Sequence, residues 1–401
     1  MIWQDRIRKA MEEDVEAGVL KGSSVLVIKD GTEQCYEQAG FADAEAGKPF
    51  ARDTIIRLFS MTKPITATAV MICVDRGLVD LSEPVSRYLP EFAEMQVLEE
   101  DGTLRPARTV MKVSDLMNMT SGMPYGENWE GCSAAGRKMQ ELLDRMIDGL
   151  NRGERLTTRE VVREIAKMPL VFDPGERWMY GLSADVLAAI VEVVTGERYG
   201  AFLKREIFDR LQMPDTGFYV PADKRDRFAR SYEHPWKADG PDWSEIYLAE
   251  DSHLMEWYGE DVAYEAGGCG LVSTIDDYSH FAQMLVNDGI YKGQRILRSA
   301  TARAMRQNRL APEQSSGLDW GANRGYGYGN LMRVLMDQGK AGTSASLGEF
   351  GWDGWTGNYV SMDPENRLVI LYFTQLRGAG GSLLTIRKTR QIVYGAIDSL
   401  E

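Results

Sequence analysis

Residues 59–92 read FSMTKPITATAVMICVDRGLVDLSEPVSRYLPEF, with Ser60 and Lys63 three apart and Pro64 directly behind them. Proline is favoured in the first turn of a helix, where its missing N–H leaves nothing unpaired. The apolar run after it predicts a helix over 64–79 that stops at Gly77. At a helix start, positions i and i+3 share a face one turn apart, so the lysine amine approaches the serine hydroxyl. The helix N-terminus also favours negative charge on the serine oxygen. Ser-x-x-Lys is a short pattern, met about once by chance in a chain of this length; here it occurs a single time. On these residues alone, Ser60 is either a nucleophile or a capping serine beside a surface lysine.

The composition narrows the field around that motif. The chain has 401 residues, 44% of them hydrophobic, with 46 Lys and Arg against 60 Asp and Glu. That apolar fraction sustains a buried core, and the length suits two or three average domains or one large fold with two subregions. A net charge of −14 repels phosphate backbones and anionic lipid, so neither nucleic acid nor a membrane is an expected partner. Cys35, Cys73, Cys132 and Cys269 are far apart, with no CxxC and no clustering with histidine. Neither a disulfide framework nor a zinc site follows from them, and no metal or organic cofactor is expected. The opening MIWQDRIRKAMEEDVEAGVL carries acidic residues where a secretion signal needs an unbroken apolar stretch. Its Trp3, Ile7, Met11 and Val15 instead fall on one helical face. The expectation is a soluble, cytoplasmic protein.

Several familiar sites are missing. GxxxxGK[ST], HExxH and GxSxG do not occur, and GYGYG at 325–329 and GGCG at 267–270 lack the GxGxxG spacing. The three histidines, His234, His253 and His280, stand in no recognisable context. A hydrolase built on this chain does without a histidine base.

Both ends of the chain read as sheet plus helix. Strand-like runs flank Asp30-Gly31, a strong hairpin signal, and again flank Asp363-Pro364-Glu365-Asn366. Leu384, Ile392, Val393, Ile397 and Leu400 recur at roughly helical spacing in the tail. The middle reads as helical. A helix is expected from Thr157 or Thr158 with Glu160 in capping-box position, another over 182–195 ending at Gly196, and a third over 199–211. Residues 123–155 and the acidic, Trp-rich 233–264 resist assignment; Tyr125 and Trp129 are candidates to line a cleft, though nothing in the sequence fixes them there. The expected organisation is an α/β region from 1–57 and 265–401, interrupted by a mostly helical region over 58–264 that carries the Ser-x-x-Lys motif.

Six stretches, in order, resemble the serine β-lactamase-related family: class C β-lactamases, DD-peptidases and the esterases that share their fold. They are 59–92; SDLMNMTSGM at 114–123, which contains Thr-Ser-Gly; FDPGERWMYGLSADVLAAIVEVVTGERYGAFLKREIFDRLQMPDTGFY at 172–219; AGGCGLVSTIDDYSHFAQML at 266–285; KGQRILRSATARAM at 292–305; and FGWDGWTGNYVSMDPENRLVI at 350–370. The resemblance implies a β-lactamase/penicillin-binding-protein-like α/β (α+β) fold, with an antiparallel sheet from both chain ends, flanking helices and an inserted helical region. It implies that Ser60 is acylated, that Lys63 holds and polarises it, and that Tyr180 exchanges protons with the serine oxygen and the leaving group. The backbone N–H groups of Ser60 and Trp355 would form the oxyanion hole. Free lysine titrates near 10.4 and tyrosine near 10, so about three units, or roughly 4 kcal/mol, must come from the site before either acts as base at neutral pH. Which of the two does so stays open, and they should titrate as a pair.

The departures from the family pattern carry the specificity reading. Penicillin-active members have Lys-Thr-Gly or His-Thr-Gly as the third motif, whose cation holds a substrate carboxylate. Here the triplet is Trp352-Asp353-Gly354, so the expected anion site is lost or reversed. Esterase members also tend to carry Trp at this first position, and Trp352 is expected to wall the pocket. Leu182 stands where penicillin-active members keep Asn, and an apolar residue there favours an apolar acyl chain. Asp353 either faces the substrate or points harmlessly into solvent. The reading is a carboxylesterase for small uncharged or apolar acyl esters, with acyl transfer as a chemical variant. Its partner is a small-molecule ester or amide. The alternatives are a β-lactamase or D-amino-acid peptidase, and a non-catalytic binding or assembly protein of the same fold. The oligomeric state does not follow from the sequence.

Overall fold

The computed structural model describes residues 2–129, 131–237, 240–249, 258–318 and 323–399. Asp30 and Gly31 take φ of +55° and +78°, the left-handed turn that suits a right-twisted hairpin. They join β1 (Gly22–Lys29) to β2 (Thr32–Asp43), and β3 (Lys48–Pro49) continues at that edge. The C-terminal part supplies β4 (Tyr326–Gly329), β5 (Met332–Leu335), β6 (Phe350–Gly351), β7 (Tyr359–Asp363) and β8 (Leu368–Thr374). The sheet runs β4-β5-β6-β7-β8-β1-β2-β3, and β1 pairs antiparallel with β8 in the register Val25↔Tyr372 and Val27↔Ile370. The two chain ends thus meet inside one sheet.

Because side chains alternate across a strand, β1 serves two cores. Leu26 and Ile28 face the larger cluster, together with α2 (Thr62–Asp75), α5 (Ser183–Thr195) and α6 (Ile275–Val286). Val25 and Val27 face the other, built on α1 (Trp3–Glu16) and α7 (Leu384–Gly395). Ile7 and Met11 are buried there, as the one-faced pattern of the first helix predicts, with Trp3 and Val15 partly buried beside them.

Local signals fare well in the helical region. Thr157 and Glu160 form the capping box of α4 (Thr158–Ile165), and Gly196 ends α5 in the left-handed region at φ +72°. Helix α2 starts at Thr62, two residues before Pro64, and ends at Asp75. Residues 199–211 are helical but carry a π turn over Lys204–Phe208. Within 123–155 lies a long helix, α3 (Ala134–Asn151), whose Met139, Leu142 and Met146 are buried on one side. Gly136 and Gly149 weaken its helical signal, and the Glu127 and Glu154 side chains pack over them: a Cβ would stand 2.3 Å and 2.7 Å from their carboxylates. In 233–264 the described residues form short hairpins, Tyr232–Glu233 with Tyr247–Leu248 and Trp236–Lys237 with Gly240–Pro241. No helix among the described residues is long and apolar enough to cross a membrane. All four cysteines are buried free thiols.

A small antiparallel pair positions the site. Ile56–Arg57 pairs with Val272–Ser273, and the Leu58 N–H donates to Leu271 O at 2.9 Å. This seats the glycine-rich 266–270 segment beside the residues that lead into Ser60.

Leu26 is 1% exposed at the centre of this arrangement. Leu26→Ala should destabilise the protein by about 3 kcal/mol. The check is the thermal-unfolding midpoint, expected several degrees below the wild type.

Candidate active site

Ser60 lies on a 3-10 turn, Phe59–Met61, that runs directly into α2. Phe59 takes φ +45°, a conformation an aromatic residue adopts only where its surroundings impose it. Those surroundings are visible: Met61 O accepts from the Tyr278 hydroxyl at 2.9 Å, and Thr62 Oγ1 accepts from the Leu271 N–H at 3.2 Å. Thr66 Oγ1 donates to Gly267 O at 2.6 Å. The start of α2 is thereby tied to the glycine-rich segment.

Lys63 is fully buried. Its Nζ lies 3.0 Å from Ser60 Oγ, 2.9 Å from the Tyr125 hydroxyl and 2.8 Å from Gly268 O. An ammonium has three donors and no acceptor, and these three oxygens account for all of them. Nζ also stands 4.6 Å from the centre of the Tyr180 ring.

Tyr180 is held in a clamp of rings, with centroids 5.4 Å from Tyr125, 6.0 Å from Trp178 and 5.5 Å from Trp352. Its backbone approach is set by Met179 N–H donating to Met119 O at 2.8 Å. Gly181 presses so close to Met123 that a Cβ would lie 1.9 Å from its carbonyl oxygen. The Thr-Ser-Gly segment closes the same region, with Ser121 Oγ and Ser183 Oγ at 2.8 Å. The indole N–H of Trp352 donates to the Tyr180 hydroxyl oxygen at 2.9 Å. Since indole nitrogen only donates, the Tyr180 oxygen is an acceptor in this bond.

Trp352 and Asp353 on the third-motif strand, and Leu182 beside Tyr180, are placed differently from the sequence expectation. Trp352 is 2% exposed, and its indole N–H is given to Tyr180. Asp353 neither faces substrate as a bare anion nor points into solvent. Its carboxylate sits 3.7 Å from the Arg333 guanidinium and accepts the Gly381 N–H at 2.8 Å. Burial raises its carboxyl above the ordinary value, opposed by Arg333 and by that N–H. Arg333, itself buried, donates to Val360 O at 2.7 Å and lies 4.2 Å from the Tyr359 ring centre. Leu182 has no exposed surface and packs in the larger core.

The other expected residues are brought to the same place. A Cβ at Gly354 would meet Leu58 O at 2.4 Å, so this strand lies against the segment before Ser60. Trp355 is 38% exposed and meets Phe59 edge to face at 5.3 Å. Two histidines are held elsewhere: His234 by Val19 O and Glu245 O, His280 by Leu211 O and Gln212 O. His253 lies outside the described residues. Among the described residues no group of His, Cys, Asp or Glu could hold a metal ion.

Sequence reasoning raised Tyr125 as a cleft residue but gave it no role at Lys63. It comes directly after Pro124 in a segment without periodicity, so no local signal points at it. Burial pushes its hydroxyl well above the usual phenol value, and it faces Lys63 as a neutral acceptor. Trp129, named beside it, is exposed.

The comparisons with known proteins agree with this geometry. A family model described as Beta-lactamase matches residues 7–392, and the chain belongs to that family. Esterase EstB of Burkholderia gladioli is 31% identical over 97% of this chain and 94% of its own length. Lovastatin esterase of Penicillium rubens is 29% identical over 80% of this chain and 81% of its own. Among solved structures, EstCE1, described as a hydrolase with promiscuous acyltransferase activity, matches with a TM-score of 0.78 at 26% identity over 98% of both chains. The chain is an enzyme, a serine hydrolase of the β-lactamase family.

Tyr125→Phe removes one of the three acceptors around Lys63. Losing one hydrogen bond to a charged group should slow labelling of the protein by a fluorophosphonate about tenfold. The measurement is the labelling rate at fixed reagent, read beside the unfolding midpoint, which the unpaired buried donor should lower.

Proposed function

We propose that this serine hydrolase is a carboxylesterase for small, uncharged or apolar acyl esters, acting through an acyl-enzyme on Ser60. The observation that carries the reading is the Trp352–Tyr180 bond of 2.9 Å. An indole stands where penicillin-active relatives present a cation, and its single donor is spent on Tyr180. A substrate carboxylate finds no positive side chain at that position, because Arg333 behind it is buried and lies beside Asp353. Selectivity against carboxylates thus rests on a missing cation rather than on the exposed anion that the sequence suggests.

The mechanism is built on the hydrogen-bond roles. Lys63 donates to Ser60 Oγ, which orients the hydroxyl and leaves its proton free to move elsewhere. Tyr180, acting as the phenolate whose oxygen accepts from Trp352, takes that proton and becomes the phenol as Ser60 Oγ attacks the ester carbonyl. The backbone N–H groups of Ser60 and Trp355 stabilise the resulting oxyanion. Tyr180 returns the proton to the departing alkoxide, which leaves as the alcohol. Water then repeats the sequence on the acyl-enzyme, with its proton passing to Tyr180 and on to Ser60. An alcohol or amine in place of water gives acyl transfer, a reading favoured by the promiscuous acyltransferase activity named for EstCE1.

The test is initial rates on p-nitrophenyl butyrate and on nitrocefin. The ester should turn over with little nitrocefin cleavage, and Ser60→Ala and Tyr180→Phe should each lower ester turnover by about a thousandfold or more. Rapid nitrocefin hydrolysis would overturn the ester reading in favour of a β-lactamase. Undiminished turnover in Ser60→Ala would overturn the nucleophile.

A further inference from the structure

Asp185 stands in the first turn of α5, five residues after Tyr180, where an acidic side chain commonly serves only its own helix end. This one has no exposed surface and also reaches across to the glycine-rich segment. Its Oδ1 accepts from the Tyr264 hydroxyl at 2.8 Å and from the Gly268 N–H at 3.3 Å, both on the glycine-rich side. Its Oδ2 is buried with no hydrogen-bond partner among the described residues. A Cβ on Gly268 would lie 2.7 Å from that oxygen, and one on Gly267 would lie 2.3 Å from Ala184 O. The two glycines therefore let the chain close onto the carboxylate. On its other side, Gly268 presents the carbonyl that accepts from Lys63.

We propose that Asp185 is a positioning residue for Lys63. Its carboxylate supplies the counter-charge of the buried ammonium and, through Gly268, sets where Nζ stands relative to Ser60 and Tyr180. A buried charge with one oxygen unpartnered is costly unless an opposite charge is near, and Lys63 is the cation whose field bears on it. Burial raises the Asp185 carboxyl above its ordinary value, while the Tyr264 hydroxyl, the Lys63 ammonium and the Gly268 N–H act the other way. The titratable groups that face Asp185 are Lys63, Tyr264, Tyr125 and Tyr199, with Cys269 beside two of these tyrosines. Those facing Lys63 are Tyr125, Tyr180, Asp185 and, more weakly, Asp353. This role rests on the nucleophile reading of Ser60 and deepens it: Asp185 serves Lys63, and Tyr180 acts as the base.

The test is the pH profile of ester turnover in Asp185→Asn. That variant keeps an acceptor for Tyr264 and Gly268 and removes only the charge. The expected result is a kcat about tenfold lower with KM within about twofold, and a basic limb of kcat moved down by about one pH unit, because an ammonium without its counter-charge loses its proton sooner. A merely structural role would lower the unfolding midpoint and the fraction of active sites but leave the limb in place, and a superimposable profile overturns the proposal. If Asp185→Asn does not fold, Tyr264→Phe serves. With one donor fewer the carboxylate takes its proton at higher pH, so the acid limb should move up; an unmoved acid limb overturns the proposal. Turnover that survives Ser60→Ala removes the underlying reading, whereas an unmoved profile in an enzyme that needs Ser60 removes only the role of Asp185.

Discussion

A lysine with no solvent-exposed surface is expensive to keep charged, and this structure keeps Lys63 by giving its three donors three oxygens. Those oxygens come from separate parts of the chain. Ser60 is one turn back, Tyr125 belongs to the irregular segment before α3, and Gly268 lies just before the return strand that pairs with Ile56–Arg57. Displacing any one of them leaves a buried donor unpaired, a loss of several kcal/mol at worst. The strained Phe59, the glycines at 267 and 268 and the Thr62 and Thr66 hydroxyls all hold those three segments in register.

The same requirement explains why the cleft holds so many aromatic side chains. Tyr180 must present its oxygen beside a cation without wandering, and its ring is fixed by Tyr125, Trp178 and Trp352 rather than by polar contacts that would compete for that oxygen. Trp352 adds one directed donor. Below this layer Arg333 lies 3.7 Å from Asp353 and 3.8 Å from Glu349, and Arg390, 3.3 Å from Glu349, completes the charge balance inside the sheet. The strand therefore carries an acidic residue into the site without giving the cleft a net negative wall.

Much of this was legible because its causes are local. The Asp30-Gly31 hairpin, the turn at 363–366, the Thr157 cap and the Gly196 stop each depend on residues within a few positions, and the structure has them. The spacing of Ser60 and Lys63 places them together for the same reason. What the sequence hides is set by distant partners. Tyr125 meets Lys63 from 62 residues away, and Asp353 is neutralised by an arginine on a neighbouring strand. Leu182 is turned into the core by the close approach of Gly181 to Met123. Helix α3 escaped because Gly136 and Gly149, over which two glutamates pack, weaken its pattern.

The central claim is that an ester is cleaved through a covalent acyl-enzyme on a serine activated without histidine. The direct measurement is peptide mass spectrometry of the protein quenched during turnover of p-nitrophenyl butyrate. The account predicts a butyryl adduct on the peptide that contains Ser60, growing in and decaying with the burst of p-nitrophenol. Steady release of p-nitrophenol with no adduct, or an adduct on another residue, would contradict it.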